Sequence, residues 1–131
     1  MSRVLAVDPG EVRIGLAVSD PTRTLARPLR VVHHRSRADD ARLIVEVALQ
    51  EEVDVIVVGV AYGGEGRAGR AARRGLRLAD ALRQAGFVRV DTWDESGSTM
   101  AAEAIHTPDE MTDARAAAVI LQSYLDANAP A

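Results

Sequence analysis

The sequence predicts an α/β fold, in which a three-strand meander is followed by parallel strands joined through helices. Two short apolar runs, 4–7 and 55–58, have the composition of strands that are buried on both faces. Segments of alternating apolar character follow the first run, and segments of helical spacing flank the second. At 131 residues the chain can bury one core but not two. We therefore expect a single domain over residues 1–131.

The start of the chain predicts a hairpin with a carboxylate at the end of its first strand. The run 4–7 ends at Asp8, and Pro9–Gly10 then makes a turn. From 14 to 19, apolar residues alternate with small or polar ones, which predicts a second strand folding back on the first. A third strand is expected over 25–34. Asp8 alone is as consistent with turn chemistry as with a ligand-binding or catalytic role.

A helix and a second buried strand are expected next. Acidic residues within 36–40 favour a helix start, and Glu51–Glu52 closes the helix at its solvated end. Val55–Gly59 is short, apolar and β-branched, as expected of a buried parallel strand, so the helix before it is a crossover connection. His33 and His34 point to opposite faces of their strand, and we interpret them as ordinary strand-end residues.

A glycine-rich segment and a positively charged helix follow. Residues 61–69 lie at the end of a parallel strand, where ligands tend to bind in open α/β sheets, but they lack the spacing and the lysine of a phosphate-binding loop. The helix after them, ending at Gly86, carries on one side Arg67, Arg70, Arg73, Arg74 and Arg77. Because all charges in this stripe are positive, two interpretations are equally consistent with it: contact with a phosphate backbone, or an ordinary solvent-exposed helix face.

Composition narrows the classes of partner and cofactor. The net charge of -3 argues against a protein that coats nucleic acid through overall positive charge. All 16 basic residues are arginine, which suits phosphate contact and which arginine-biased codon usage would also produce. Absence of cysteine excludes disulfides and thiolate metal sites. No apolar run reaches the roughly 18 residues of a membrane span and no signal-peptide pattern is evident, so we expect a cytoplasmic protein without a membrane partner.

Two more carboxylates follow the last predicted strand. That strand is expected over 87–92, and Asp94 and Glu95 come just after it. A helix is expected from about Met100, and the Thr99 hydroxyl is one candidate for its cap. The hydroxyl therefore has a structural explanation, whereas the carboxylates have none.

The final helix brings a further carboxylate to the sheet. It is predicted over 112–126, is apolar nearly all round, and has Asp113 in its first turn. Clustered carboxylates repel one another unless a divalent cation lies between them. Asp8, Glu95 and Asp113, with Asp94 left open, therefore predict a site for Mg²⁺ or Mn²⁺, the ions that oxygen ligands prefer. Such a site suits phosphodiester hydrolysis.

Four segments in chain order resemble the motifs of the RuvX/YqgF family, the Holliday-junction-resolvase-like nucleases that are also described as candidate pre-16S rRNA nucleases. The segments are DPGEVRIGLAVSD, VIVVGV with its glycine-rich loop, DES-x-ST and TDARAAAVILQSYLD. The resemblance implies an RNase H-like fold, with a five-stranded mixed sheet of three antiparallel strands plus two parallel ones. It also implies metal-dependent cleavage of nucleic acid, with Asp8, Glu95 and Asp113 as the catalytic and metal-binding residues.

This chain departs from the family pattern at three places. Ser96 stands where the family usually has arginine, Gly59–Ala61 replaces Gly-Leu-Pro, and the connection before Asp113 is short and poor in basic residues. All three changes concern substrate contact and leave the carboxylates in place. We therefore expect this chain to share the family's metal binding more firmly than we expect it to share the family's substrate specificity.

We therefore expect a Mg²⁺- or Mn²⁺-dependent nuclease acting on structured RNA, such as the 16S rRNA precursor, or on branched DNA such as a Holliday junction. The residues expected to contact the nucleic acid are Arg13, Arg67, Arg70, Arg74, Arg77 and Thr99. The alternative is a nucleic-acid-binding module of the same fold with weakened catalysis. A homodimer is left open. An actin-like ATPase needs two such lobes, for which the chain is too short.

Overall fold

The computed structural model describes residues 2–62, 67–95 and 108–129. In chain order the elements are β1 (Arg3–Asp8), β2 (Arg13–Ser19), β3 (Ala26–His33), α1 (Arg37–Gln50), β4 (Val53–Val60), α2 (Arg67–Gln84), β5 (Val90–Asp94) and α3 (Thr112–Ala127). The strands form one sheet in the order β3-β2-β1-β4-β5. The pairs β1–β2 and β2–β3 are antiparallel, and β1–β4 and β4–β5 are parallel. The expected mixed five-stranded sheet is confirmed.

One strand boundary was predicted wrongly. The sequence predicts the last strand over 87–92, whereas β5 begins at Val90. The preceding residues instead end α2: Gly86 has a φ of 100°, and the Phe87 N–H donates to the Leu82 carbonyl oxygen at 3.2 Å. Phe87 packs against the core without pairing in the sheet. The helix expected from about Met100 lies outside the described residues.

Helices cover both faces of the sheet, and β1 and β4 are buried between them. α1 and α2 pack on one face, over a core that includes Leu5 and Val7. α3 packs on the other face, over a core that includes Val4 and Ala6. Since side chains alternate along a strand, Asp8 continues the row of Val4 and Ala6 and lies on the α3 face. Among the described residues, no helix is both long enough and apolar enough to span a membrane.

α3 is fixed to the sheet by polar and aromatic contacts. The Gln122 side chain accepts from the Ala26 N–H and donates to the Thr24 carbonyl oxygen, both at 2.9 Å. The Trp93 and Tyr124 rings meet edge to face, with centroids 5.5 Å apart. Because the helix is held along its length, the position of its first turn relative to β1 is determined.

The first turn of α3 lies directly on β2, because residue 15 is glycine. Gly15 pairs with Asp8 across the two strands. A Cβ atom at this position would lie 1.9 Å from the Asp113 carbonyl oxygen. Any other residue would therefore push the start of α3 away from the sheet and from Asp8.

We expect Gly15→Ala to destabilise the protein by about 3 kcal/mol, since the added methyl group meets backbone that cannot move by rotating a side chain. The comparison variant is Gly86→Ala, where nothing lies within 4 Å of the added Cβ but φ is 100°. That variant should lose only about 1 kcal/mol, from the left-handed backbone. Urea unfolding measures both free energies. Equal losses would contradict the close packing of α3 on β2.

Candidate functional site

Asp8 lies at the carboxyl end of β1, between two glycines in the neighbouring strands. Gly15 is its partner in β2. On the other side Val7 pairs with Val58 of β4, and the next residue of β4 is Gly59. Strand alternation places all three on the α3 face. The gap that each glycine leaves beside the half-buried Asp8 side chain is filled by a neighbouring element, the Asp113 backbone at Gly15 and the Glu95 carboxyl group at Gly59.

Glu95 occupies the space above Gly59. Its backbone N–H donates to the Val60 carbonyl oxygen at 3.1 Å, which extends the pairing of β5 with β4 by one residue. A Cβ atom on Gly59 would lie 2.6 Å from the Glu95 Oε2 atom. The Glu95 carboxyl group forms a hydrogen bond with Asp8. The structure thus brings two of the three predicted site residues into contact.

The electrostatics of this pair favour a cation. Burial raises the pKa of Glu95, and the charge of Asp94 raises it further, although the hydrogen bond from Asp8 acts in the opposite direction. The Glu95 Oε2 atom is buried and has no hydrogen-bond partner among the described residues. A buried carboxylate oxygen without a partner is costly, and an oxygen-binding divalent ion would satisfy it. The donors present therefore fit Mg²⁺ or Mn²⁺.

Asp113 lies in the same region but is engaged by an arginine. The Arg13 Nε atom donates to the Asp113 Oδ2 atom at 2.8 Å, and the Asp113 side chain is about one-third exposed. Among the described residues, no three aspartate, glutamate or histidine side chains converge closely enough to hold a metal ion. The side chain of Asp113 would have to leave Arg13 to join Asp8 and Glu95.

The first turn of α3 is organised by Asp109. Its Oδ1 atom accepts from the Met111 N–H and from Arg115, both at 2.8 Å. The Asp109 N–H in turn donates to the Thr112 hydroxyl at 2.8 Å. These contacts hold the residues just before Asp113 in place.

The other predicted site residues have different surroundings. Asp94 is the exposed last residue of β5, and alternation directs it to the face opposite Glu95. Arg13, expected to contact nucleic acid, is paired with Asp113 as described. Arg67 begins α2, and its side chain lies outside the described part of the structure, as does all of Thr99. Their roles stay predictions.

The remaining predicted arginines lie on the opposite face of the sheet, beside a groove. The groove, about 530 Å³, lies between the β1–β2 turn, the β3–α1 junction and α2. Its arginines are Arg37, Arg70, Arg73, Arg74 and Arg77. We call it the arginine groove. Arg74 forms an ion pair with Glu11 of the β1–β2 turn at 3.2 Å.

Two groove residues have contacts that the sequence did not predict. His34 was interpreted as a strand-end residue, and Asp40 as an acidic residue in the first turn of a helix. Asp40 does lie in the first turn of α1, but it is also buried, accepts from the Arg35 N–H at 3.0 Å, and forms an ion pair with the His34 Nδ1 atom. The one sequence signal for this pair is the spacing of six residues across a strand-to-helix junction, which is too common to be specific.

Comparison with known proteins gives one family and full-length relatives. The RuvX family model, described as Holliday junction resolvase, matches residues 2–127. A protein of Anaeromyxobacter dehalogenans strain 2CP-C, named "Putative pre-16S rRNA nuclease", is 41% identical over 136 residues, covering 98% of this chain and 99% of the relative. A protein of Bordetella petrii with the same name is 39% identical over 127 residues, covering 95% of each chain.

Solved structures agree in fold. Thermus thermophilus RuvC in complex with a Holliday junction substrate superposes with a TM-score of 0.61 at 18% identity, covering 97% of this chain and 95% of that one. The fowlpox virus Holliday junction resolvase superposes with a TM-score of 0.59 at 11% identity, covering 95% and 99%. At these identities the likeness concerns the fold alone, and it confirms the expected RNase H-like architecture.

We expect Glu95→Gln to stabilise the metal-free protein at neutral pH. Because burial raises the pKa of Glu95, the native protein keeps this proton to a higher pH than the unfolded chain, whose carboxyl group titrates near 4.5. The free energy of unfolding of the wild type in EDTA should therefore fall as the pH rises above about 4.5. Glutamine carries no charge and should abolish the contribution of this residue to that fall. Urea titrations across this pH range measure it.

The matched control is Glu46→Gln, since Glu46 is exposed on α1 and should leave the pH dependence unchanged. Adding Mn²⁺ at neutral pH should raise the unfolding midpoint of the wild type and of the control, because an ion that binds only the native state stabilises it. Glu95→Gln should respond less. A wild type that gains no stability from Mn²⁺ would contradict a cation site at Asp8 and Glu95.

Proposed function

Because this chain belongs to the RuvX family, we propose that it is a divalent-metal-dependent nuclease that cleaves phosphodiester bonds in nucleic acid. The observation that carries the proposal is the buried, unpartnered Oε2 atom of Glu95 beside Asp8. A fold that buries a carboxylate in this way gains from a cation at that point. Full-length relatives named as pre-16S rRNA nucleases support the same activity.

In this proposal Asp8 and Glu95 hold Mg²⁺ or Mn²⁺, and Asp113 joins them when it leaves Arg13. The ion would supply positive charge to the phosphodiester and favour ionisation of the attacking water. Gly15 and Gly59 allow the first turn of α3 and the Glu95 carboxyl group to come close to Asp8. Arg13, once released from Asp113, is placed to contact a phosphate oxygen.

Two substrates remain candidates. A precursor of 16S rRNA is the first to test, because the relatives with that name match nearly the whole chain. Branched DNA is the second, because the family model is described as a Holliday junction resolvase. The described part of each chain holds one acidic pair, so simultaneous cuts on two strands would require a homodimer, whereas RNA trimming would not. Action on rRNA precursors would place the protein in the cytoplasm.

One observation favours a second candidate function, a nucleic-acid-binding module with weakened catalysis. The ion pair between Arg13 and Asp113 occupies the third carboxylate. If that pair persists with metal present, two carboxylates remain, and they hold a divalent ion more weakly than three. Such a protein would bind nucleic acid through its arginines and cleave it slowly or not at all.

Asp8→Asn should abolish cleavage of a labelled 16S rRNA precursor, or of a four-way DNA junction, in Mn²⁺. The substitution keeps the shape of the side chain and removes the charge that binds the cation, so we expect a loss of about 1,000-fold or more, comparable to the loss of a main electrostatic contribution to catalysis. Single-turnover rates on both substrates measure the loss and identify the preferred polymer.

The control for that experiment is Asp94→Asn, since Asp94 is exposed and alternation directs it to the other face. It should retain most of the activity. Cleavage that survives Asp8→Asn would mean a contaminating nuclease or a different site. Absence of cleavage in the wild type, with binding retained, would favour the binding module.

Asp113→Asn should weaken Mn²⁺ binding by at least about tenfold if Asp113 is a ligand, as measured by calorimetry. Arg13→Gln should tighten Mn²⁺ binding, because it releases Asp113 and removes a nearby positive charge. In the Asp113→Asn background, Arg13→Gln should lose the part of its gain in Mn²⁺ affinity that comes from freeing Asp113. A double-mutant cycle measures this difference. Equal affinity of wild type and Asp113→Asn would exclude Asp113 from the metal site.

A further inference from the structure

The arginine groove is built on the sheet face opposite the carboxylates. α2 lies against the β1–β2 turn without a gap: a Cβ atom on Gly75 would be 3.5 Å from the Pro9 Cγ atom and 2.9 Å from the Gly59 carbonyl oxygen. Pro9 directly follows Asp8, and Gly59 lies below Glu95. The groove and the acidic pair therefore lie on either side of the β1–β2 turn.

The groove carries positive charge that the described part of the protein does not neutralise. Its five arginines face two carboxylates, Glu11 and Asp40. Arg74 is paired with Glu11, and Asp40 with His34. Arg37, Arg70, Arg73 and Arg77 form no ion pair with any described residue. Cations gathered in a concave surface without counter-charges attract an anionic ligand.

The shape of the charged surface fits a polymer better than a single phosphate group. From Arg70 to Arg77 the helix axis advances about 10 Å, at 1.5 Å per residue. Successive phosphates of one strand of duplex DNA are about 3.4 Å apart along the axis, so the row spans roughly three phosphate-to-phosphate steps. The groove is also open to solvent along one side, since Arg70, Arg73 and Arg77 are exposed.

His34 forms the wall opposite α2, and Asp40 holds its orientation. Asp40 is 4% exposed and binds the ring through the Nδ1 atom, while the His34 side chain is 42% exposed and lines the groove. The Nε2 atom is the ring nitrogen left for a ligand.

We propose that the arginine groove binds a second stretch of the substrate's phosphate backbone, so that one nucleic acid passes over the β1–β2 turn and reaches both sheet faces. This inference rests on the proposed nuclease function for the identity of the polymer. Binding in the groove positions a distant part of a structured or branched substrate, whereas the acidic pair acts on the phosphodiester that is cut. Small phosphodiesters reach the acidic pair without touching the groove.

The test compares Arg37→Ala/Arg73→Ala with the control Arg27→Ala/Arg42→Ala. Each variant removes two arginines, so the change in net charge is the same, and both control arginines are exposed and lie outside the groove. The probe is a fluorescein-labelled RNA hairpin with single-stranded tails, in EDTA to prevent cutting. Fluorescence anisotropy is recorded from about 50 to 200 mM salt, the range in which counterion release dominates affinity.

The groove variant should bind the hairpin roughly tenfold more weakly or worse at about 0.1 M salt, and the slope of log K against log salt should fall by about 1.4 to 1.8. The control should retain most of the affinity and slope. Equal changes in the two variants would overturn the proposal, because the effect would then be one of net charge. Thermal melting of each variant checks that the exposed substitutions leave the fold intact.

The adjacent histidines provide a second test, in which each variant loses one imidazole side chain. His34→Ala should weaken hairpin binding several-fold, and His33→Ala, whose side chain faces a different groove, should not. Asp40 retains its hydrogen bond from the Arg35 N–H in both variants. Equal binding by the two variants would exclude the imidazole from the phosphate site.

Hydrolysis of bis(p-nitrophenyl) phosphate in Mn²⁺ separates the two proposals. This small diester reaches only the acidic pair, so the groove variant should hydrolyse it at the wild-type rate and lose rate only on the RNA. A parallel loss on both substrates would contradict a separate groove site. If the wild type hydrolyses neither, the nuclease proposal fails, and the anisotropy result still decides whether the groove binds nucleic acid.

Discussion

The candidate site depends on the absence of a Cβ atom at the two positions that flank Asp8. Gly15 lets the backbone of α3 rest on β2, and Gly59 lets the Glu95 carboxyl group rest on β4. A Cβ atom at Gly15 would collide with the Asp113 backbone, and one at Gly59 would collide with the Glu95 carboxyl group. Either collision would move an acidic residue away from the central strand. Asp8, the Glu95 carboxyl group and the first turn of α3 therefore come together at the carboxyl end of β1, and we call this region the acidic recess.

That recess imposes an electrostatic cost which has to be balanced. Two carboxyl groups share one hydrogen bond, and one buried oxygen has no partner in the described part of the chain. Arg13 balances the charge of Asp113 but does not reach this oxygen. An apolar core would have avoided the cost, and the cation site proposed above would offset it.

The distribution of charge matters more than the net value of -3. Carboxylates gather on the α3 face and unpaired arginines on the α2 face, with the β1–β2 turn between them. A polyanion would be repelled by the acidic recess alone, because no described arginine other than Arg13 contacts its carboxylates. In the proposed function, arginines on the opposite face supply the attraction that brings the polymer to the recess.

The sequence by itself determined the parts of the protein that follow from local chemistry. Unbroken apolar runs identified β1 and β4, alternation identified the meander, and the position of Asp8 at a strand end followed from Pro9–Gly10. The start of α1 was also predictable, since the Ser36 hydroxyl accepts from the Asp39 N–H at 3.1 Å. The β5 boundary was missed because a helix cap extends through Phe87, and local apolar character does not distinguish a capped end from a strand.

Only the tertiary structure decided which charged groups meet. Arg13 and Asp113 are 100 residues apart in the chain, and their ion pair depends on how α3 packs on β2. The pairing of His34 with Asp40 depends likewise on how β3 turns into α1. A sequence pattern shows which residue types are available, but electrostatic contacts between distant residues depend on distances of a few ångströms that only packing determines.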